Sequence, residues 1–348
     1  MLHDYLCEMQ FAQNPADHCV YSRVTDEDKV HIIIWVDDLI IAASDDNVLK
    51  RVKEMLESKF SMKDLGKLTH FLGIDFEQTA DCVKMSQCKY VQKILERFDM
   101  INCKSRATPC EQKLDYSDDA ELMDDVRKYR EAVGSLIYLA TCTRPDLSFV
   151  VSKLSQYFSK PTTEQWTTVK HALRYLKGTQ NKELCFRKCK DESLIHAYSD
   201  ANWAADVSDR KSTTGYCISL NRNGPLVSWK TKRQPTVALS TCEAEYMALA
   251  VTMQECLYLR QLLYCFDGET YRCIIYEDNQ GTIALAKNPV YRQRCKHVDI
   301  KYHFVRSMLN DDQINLEYCP TNEMVADVLT KPATKLKLMT FEMFMFGV

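Results

Sequence analysis

Asp37 and Asp38 stand side by side in HIIIWVDDLIIAA (residues 31–43), between two short apolar runs. Adjacent carboxylates repel each other, and a bound divalent cation relieves that repulsion. Aspartate also favours turns, because its side chain bonds nearby backbone. A metal site and an ordinary Asp-rich hairpin turn are therefore both open readings of this pair. Other acids lie far apart along the chain: Asp200 in SLIHAYSDANW, Glu243 and Glu245 in STCEAEYMAL, Asp278 in YEDNQ, and Asp327 in ADVLTKP. Four carboxylates in one pocket can hold two Mg²⁺, an ion that takes oxygen ligands and keeps waters for phosphate chemistry. Against this, the chain has 48 acidic residues, and spacing alone favours four unrelated surface carboxylates.

The elements that must carry these acids follow from periodicity. The β-branched runs around Asp37 and Asp38 predict a hairpin. Residues 45–60 carry Val48, Leu49, Val52, Met55, Leu56 and Phe60 at helical spacing, with Ser44 as the expected cap. FLGIDFEQ (71–78) and CVKMSQ (82–87) read as strands, and Tyr90, Val91, Ile94, Leu95 and Phe98 mark a helix. Residues 126–192 read as helical. Tyr129 to Ala140 form one stripe up to Thr143-Arg144-Pro145, and Trp166 to Leu176 form a second, from Thr162 to Gly178. Arg144, Lys170, Arg174 and Lys177 are weak candidates for nucleic-acid contact.

Further on, 193–203 reads as a strand ending at Asp200. Residues 215–220 and 226–230 predict two more strands, with 235–239 as a short lead-in. Residues 241–265 predict a long helix with Glu243 and Glu245 in its first turns. Residues 272–276 predict a strand that stops at Glu277-Asp278-Asn279, followed by a helix at 281–287. Residues 314–318 read as a strand or edge and 322–330 as a final helix carrying Asp327. The acids thus fall at strand ends and helix turns that a mixed sheet can gather.

The 348 residues carry 45 Lys+Arg against 48 Asp+Glu, for a net charge of −3, with 46% hydrophobic and 27% charged residues. This is ordinary for a globular protein and implies about two domains. No run of about 18 apolar residues is present, so no membrane partner is expected. The N-terminus, MLHDYLCEMQFAQ, lacks the apolar core of a secretory signal. Sixteen cysteines are scattered without a CxxC pair. They read as reduced thiols of an intracellular protein, in a cytoplasmic particle or the nucleus and not secreted. A zinc site at Cys185, Cys189 and His196 lacks a fourth ligand, and buried structural cysteine is the better account. Residues 111–125 (EQKLDYSDDAELMDD) hold seven acids and one lysine and read as a solvated linker. Residues 287–306 hold six Lys/Arg and one Asp among Tyr291, Tyr302 and Phe304. On charge alone this is a solvated helix face, and phosphate contact is the sharper alternative.

The motifs WVDDLIIA, FLGIDF, YVQKILERFDM, YREAVGSLIYLATCTRPDLS, LRYLKGT, YSDANWAAD, DRKSTTGY, SWKTKRQ, ALSTCEAEYMAL, YEDNQGTIALAKNP, KHVDIKYHFVR and ADVLTKP stand in one order. The series resembles the C-terminal part of the Pol polyprotein of copia-type LTR retrotransposons, over about residues 1–335. The resemblance implies an α/β (α+β) fold: a partial reverse-transcriptase palm/thumb, then a ribonuclease H-like mixed five-stranded sheet with flanking helices. The expected domains are 1–110 for the truncated palm/thumb, 111–192 for an acidic linker and helical connection, 193–335 for the ribonuclease H-like part, and 336–348 for a tail.

Carried across residue by residue, Asp37 and Asp38 match the paired palm aspartates. Asp200, Glu245, Asp278 and Asp327 match the four ribonuclease H carboxylates. Glu245 is preferred to Glu243 because Glu-Tyr-Met-Ala resembles the family's helix pattern. The set implies two Mg²⁺, with Mn²⁺ as an alternative, and cleavage of the RNA strand of an RNA–DNA hybrid without a protein nucleophile. The basic stretch Arg292, Arg294, Lys296, His297 and Lys301 is the expected contact to the nucleic-acid backbone. His297 and His303 read as surface or phosphate-contacting groups rather than proton carriers.

Trp35 stands where the family usually has Tyr, and Asn202 where Asp is common beside Asp200. The fingers and a third catalytic aspartate of the polymerase are expected upstream of Met1; Asp17 does not match that position. Polymerisation is therefore not expected, unless missing Pol segments are supplied by a precursor or in trans. The alternative to a working nuclease is a catalytically silent remnant that only binds nucleic acid.

Overall fold

A computed structural model describes residues 1–26, 28–117, 119–188, 194–206, 208–222, 224–288, 299–310 and 314–348. The chain divides into two compact units: residues 1–68 with 254–272, and residues 69–253 with 273–348.

The first unit opens with α1 (Leu2–Glu8) and a sheet in the order β1 (Ala12–Gln13), β2 (Val20–Val24), β3 (Lys29–Trp35), β4 (Asp38–Ala43). The expected hairpin forms: β3 and β4 are antiparallel, with Trp35 opposite Asp38. Alternation along β3 buries Val30 and Ile32. Helix α2 (Asp46–Lys59) covers them with Val48, Val52 and Leu56, one per turn. Its cap is Asp45 rather than Ser44, because the Asp45 carboxylate reaches the backbone N–H groups of Asn47 and Val48.

The larger unit contains two further sheets. In one, β5 (His70–Phe71), β6 (Ile74–Gln78) and β7 (Cys82–Ser86) are joined by β8 (Glu183–Arg187). Helices α3 (Cys88–Arg97), α4 (Val126–Cys142), α5 (Ser148–Ser155) and α6 (Thr163–Gly178) share one apolar core around Leu136, Leu139, Val150 and Leu173. Two expectations change here. Residues 69–110 belong with the later chain rather than with residues 1–68, because β7 pairs with β8 about a hundred residues on and α3 packs into the α4–α6 core. The stretch 126–192 is also not all helix, since it includes β8. The acidic segment 111–125 is mostly exposed, yet Leu114 and Met123 pack on the helical core.

Arg144 does not face solvent as a nucleic-acid contact. It is 1% exposed and forked onto Asp146, with bonds to the Thr179 carbonyl and hydroxyl. The Tyr175 hydroxyl donates to the same aspartate at 2.6 Å. A buried guanidinium needs its donors satisfied, and this network fixes the turn between α4 and α5.

The third sheet has the order β11 (Leu226–Arg233), β10 (Thr213–Ser219), β9 (Leu194–Asn202), β12 (Arg272–Glu277), β13 (Ile314–Tyr318). β10 is antiparallel to both β9 and β11, and β12 is parallel to β13. This is the expected mixed five-stranded sheet, flanked by helices. Residues 235–239 form no strand. Helix α7 (Thr241–Asp267) approaches β9 closely because Ala244 and Ala248 meet Ala201 and Ala238 there. After β12 come α8 (Gln280–Lys287) and α9 (Asp299–Leu309). The expected helix at 322–330 is only α10 (Asp327–Thr330). The expected tail is instead α11 (Lys335–Thr340) and α12 (Glu342–Phe346); it folds back because Phe344, Met345 and Phe346 have a core to enter beside Leu184 and Tyr198. Among the described residues no helix is long and apolar enough to cross a membrane, and the described cysteines are free thiols.

Candidate metal centre

Alternation along β9 sends Asp200 to the same face as Tyr198 and His196, at the strand's late end. Glu245 lies in the second turn of α7, between the alanines that seat the helix on the sheet. Asp278 follows the last residue of β12. Ligand oxygens of Asp200, Glu245 and Asp278 lie within 4.8 Å of one another. Three of the four predicted carboxylates thus meet in space.

Neighbouring groups hold each of them. The Thr330 hydroxyl donates to Asp200 Oδ2. The backbone N–H of Ala201 lies close enough to Glu245 to favour its charged form. The Thr321 hydroxyl donates to Asp278 Oδ2 at 2.8 Å. The Asn279 side chain caps α8 through the Thr282 N–H, and the Thr282 hydroxyl donates to the Cys242 carbonyl at 3.2 Å, tying α8 to α7.

Glu277 is a fourth acid at this place that the sequence reading passed over. It alternates with Cys273 and Ile275 onto the buried face of β12 and is fully buried. One of its oxygens accepts from the Asn279 N–H at 3.1 Å, while Oε2 has no hydrogen-bond partner. Glu245 Oε2 is likewise without one. Burial pushes the carboxyls of Glu245, Glu277 and Asp200 up, and the neighbouring acids reinforce the shift. Crowded, dry carboxylates with oxygens to spare suit a divalent cation: a hard ion takes oxygen ligands and removes the repulsion.

Asp327 is placed differently. It is 1% exposed and ion-paired with both Lys331 and Lys337, and it lies outside the three-carboxylate group. Its link to the others is Thr330, whose hydroxyl also lies 3.2 Å from the Asp327 carbonyl. Lys337 comes from the segment expected to be a tail, so its role had no signal in the motif pattern.

Asp37 and Asp38 sit exposed at the β3–β4 turn of the other unit. Among the described residues no third acid joins them in a metal-sized group. Of the expected backbone contacts, Arg292, Arg294, Lys296 and His297 lie outside the described residues, as does Cys189 of the zinc alternative. Lys301 is half-buried on α9, and burial lowers its pKa against the attraction of Glu243.

Residues 1–112 match the family described as reverse transcriptase (RNA-dependent DNA polymerase). The chain is 36% identical over 346 residues to the retrovirus-related Pol polyprotein from transposon TNT 1-94 of Nicotiana tabacum, covering 96% of this chain and 26% of the relative. It is 30% identical over 257 residues to a putative transposon Ty5-1 protein of Saccharomyces cerevisiae, covering 73% and 82%. The chain spans about a quarter of the length of the plant Pol polyproteins it matches. Among solved structures, it is similar to the N-terminal RNase H domain of a Mycobacterium tuberculosis protein, at 13% identity and TM-score 0.31, over 39% of this chain and 90% of that one.

Proposed function

The chain belongs to the retrotransposon Pol polyprotein family, and on that premise we propose that the carboxylates of its five-stranded sheet form a ribonuclease H site. The reaction is hydrolysis of the RNA strand of an RNA–DNA hybrid, within a copia-type element. The observation that carries this reading is the convergence of Asp200, Glu245 and Asp278 within 4.8 Å, beside the buried and partly unpartnered Glu277.

Asp200, Glu245 and Asp278 would hold Mg²⁺ or Mn²⁺. Such an ion lowers the pKa of an attacking water and stabilises the departing oxygen. The chain's own residues set the ligands. Thr330 fixes Asp200 and Thr321 fixes Asp278. Asp327 reaches a second ion only if it releases Lys331 and Lys337. Substrate choice would rest on hybrid shape and the RNA 2′-hydroxyl.

A labelled RNA–DNA hybrid incubated with the protein in Mg²⁺ tests this. Cleavage of the RNA strand is expected, with loss of about a hundredfold or more in Asp278→Asn and complete loss in EDTA. Equal cleavage by both proteins would place the site elsewhere. One observation favours a second reading, a silent chain that only binds nucleic acid: Asp327 is ion-paired with two lysines. Hybrid binding without cleavage supports it. No polymerase activity is proposed for Asp37 and Asp38, and primer extension on an RNA template should yield no product.

A further inference from the structure

A cavity of about 760 Å³ opens at the opposite end of β9 from Asp200, between the start of that strand, the β10–β11 turn and strands β8, β12 and β13. His196 and Asp200 share one face of β9, four residues apart, which places the cavity roughly 13 Å from the carboxylate along the strand.

One wall is aromatic and held rigidly. The rings of His196 and Tyr276 are parallel within 5°, with centroids 6.1 Å apart, and the Tyr276 hydroxyl lies 3.2 Å from His196 Nδ1. Tyr198 stacks on Tyr276 at 4.7 Å. Leu194 and Ile274 extend this wall with apolar surface.

The rim is cationic. Arg187, Lys188 and Arg222 all line the cavity and are exposed, against Glu317 as the single acid among the described lining residues. No ion pair is formed by these three cations among the described residues. Elsewhere on this unit surface cations do find acids, as Lys84 does with Glu183 and Lys182 with Glu342. Three like charges with no ion pair among the described residues repel each other around one opening, and an anion relieves them. Guanidinium forks match phosphate oxygens bidentately, and a planar apolar wall accepts a base. The volume falls in the range of small-molecule sites.

We propose that this cavity binds a nucleotide unit, its phosphate held by Arg187, Lys188 and Arg222 and its base against the Tyr276 wall. The unit is either a free mononucleotide or one nucleotide of a bound strand. The site is separate from the carboxylates and does not depend on hydrolysis.

The test is binding by the full chain in EDTA, where no metal-dependent cleavage contributes. The probe is a fluorescein-labelled single-stranded RNA, read by anisotropy, with AMP both as competitor and, by calorimetry, as direct ligand. Arg187→Glu and Arg222→Glu replace exposed side chains, and circular dichroism melts should match the parent. Each is expected to weaken binding by about tenfold or more, whereas Lys230→Glu, on β11 outside the cavity, leaves it unchanged. AMP binding that is lost in both variants identifies a mononucleotide pocket. RNA binding lost in both, with no AMP binding, identifies a strand contact. Unchanged affinity for both probes in both variants overturns the proposal, whatever the fate of the hybrid-cleavage assay.

Discussion

Gly215 stands directly across from Asp200 in the β9–β10 ladder, and the space its absent side chain leaves is where α10 sits. A Cβ at this position would come within 2.6 Å of Thr330 Cγ2 and 3.0 Å of Leu329 Cβ. The same Thr330 holds Asp200, and Leu329 accepts a bond from the Thr231 hydroxyl at 2.7 Å. Gly215→Ala is therefore expected to destabilise the protein by about 1–3 kcal/mol through overpacking, read by urea unfolding. It should also lower hybrid cleavage, because it displaces the hydroxyl that orients Asp200. Unchanged stability would mean that α10 is not seated as described.

The acids at the metal centre give stability an unusual pH slope. Burial raises the folded-state pKa of Glu245, Glu277 and Asp200. The native state then keeps protons that the unfolded chain has released, so stability falls as pH rises above the ordinary carboxyl range of about 4. In EDTA, Tm should decrease between about pH 5.5 and pH 8. Added Mg²⁺ should raise Tm more at the higher pH, where the carboxylates it binds would otherwise repel. Glu277→Gln should raise Tm in EDTA at the higher pH. A Tm that climbs with pH in EDTA would contradict this.

Lys337 competes for the same carboxylates. It pairs with Asp327, and Asp200 and Asp278 attract it as well. Lys337→Met removes a positive charge from the edge of the site, so Mn²⁺ should bind several-fold more tightly, by about the effect of one nearby charge. The metal-free protein should lose stability, because Asp327 then keeps only Lys331. Titration followed by manganese relaxation measures the first effect and thermal melts the second. An unchanged Mn²⁺ affinity would show that the lysine does not reach the ion's place.

Arg144→Met would leave the buried Asp146 without its guanidinium while Tyr175 still donates to it. A loss of about 3–5 kcal/mol is expected, the range for breaking one side of a buried pair. Arg144→Met with Asp146→Leu should recover part of it. If the single variant melts like the parent, the network does not anchor the α4–α5 turn.

Much of the sheet was legible because its strands carry local signals. The β-branched run at β3 and the apolar runs of β9 and β12 announce those strands, with Asp200 near the end of β9 and Asp278 just after β12; that these two acids belong to one site came from the family resemblance, not from spacing. The helix that begins at Thr241 carries both Glu243 and Glu245, and only the resemblance of Glu-Tyr-Met-Ala to the family's pattern selects Glu245. What failed depends on contacts distant in sequence. β8 reads as part of a helical stretch because nothing local announces its pairing with β7. Glu277 was hidden beside Asp278: its burial depends on which face of β12 it takes, and the run YEDN alone does not say. Asp327 matches the family's fourth carboxylate, and its motif does not reveal its partner Lys337, which arrives only when the last helices turn back onto the core. Arg144 looked like a surface cation because Asp146 and Tyr175 become its partners only once the turn folds.

The sheet that carries the carboxylates also holds its own reporters. Cys217 on β10 and Cys273 on β12 are buried, whereas Cys7 and Cys19 in the other unit lie open. A sealed thiol reacts only during transient opening. The rate at which an alkylating reagent reaches Cys217 and Cys273, resolved by peptide mass and set against the open Cys7 and Cys19, therefore gauges the breathing of the strands around the acids with no residue replaced.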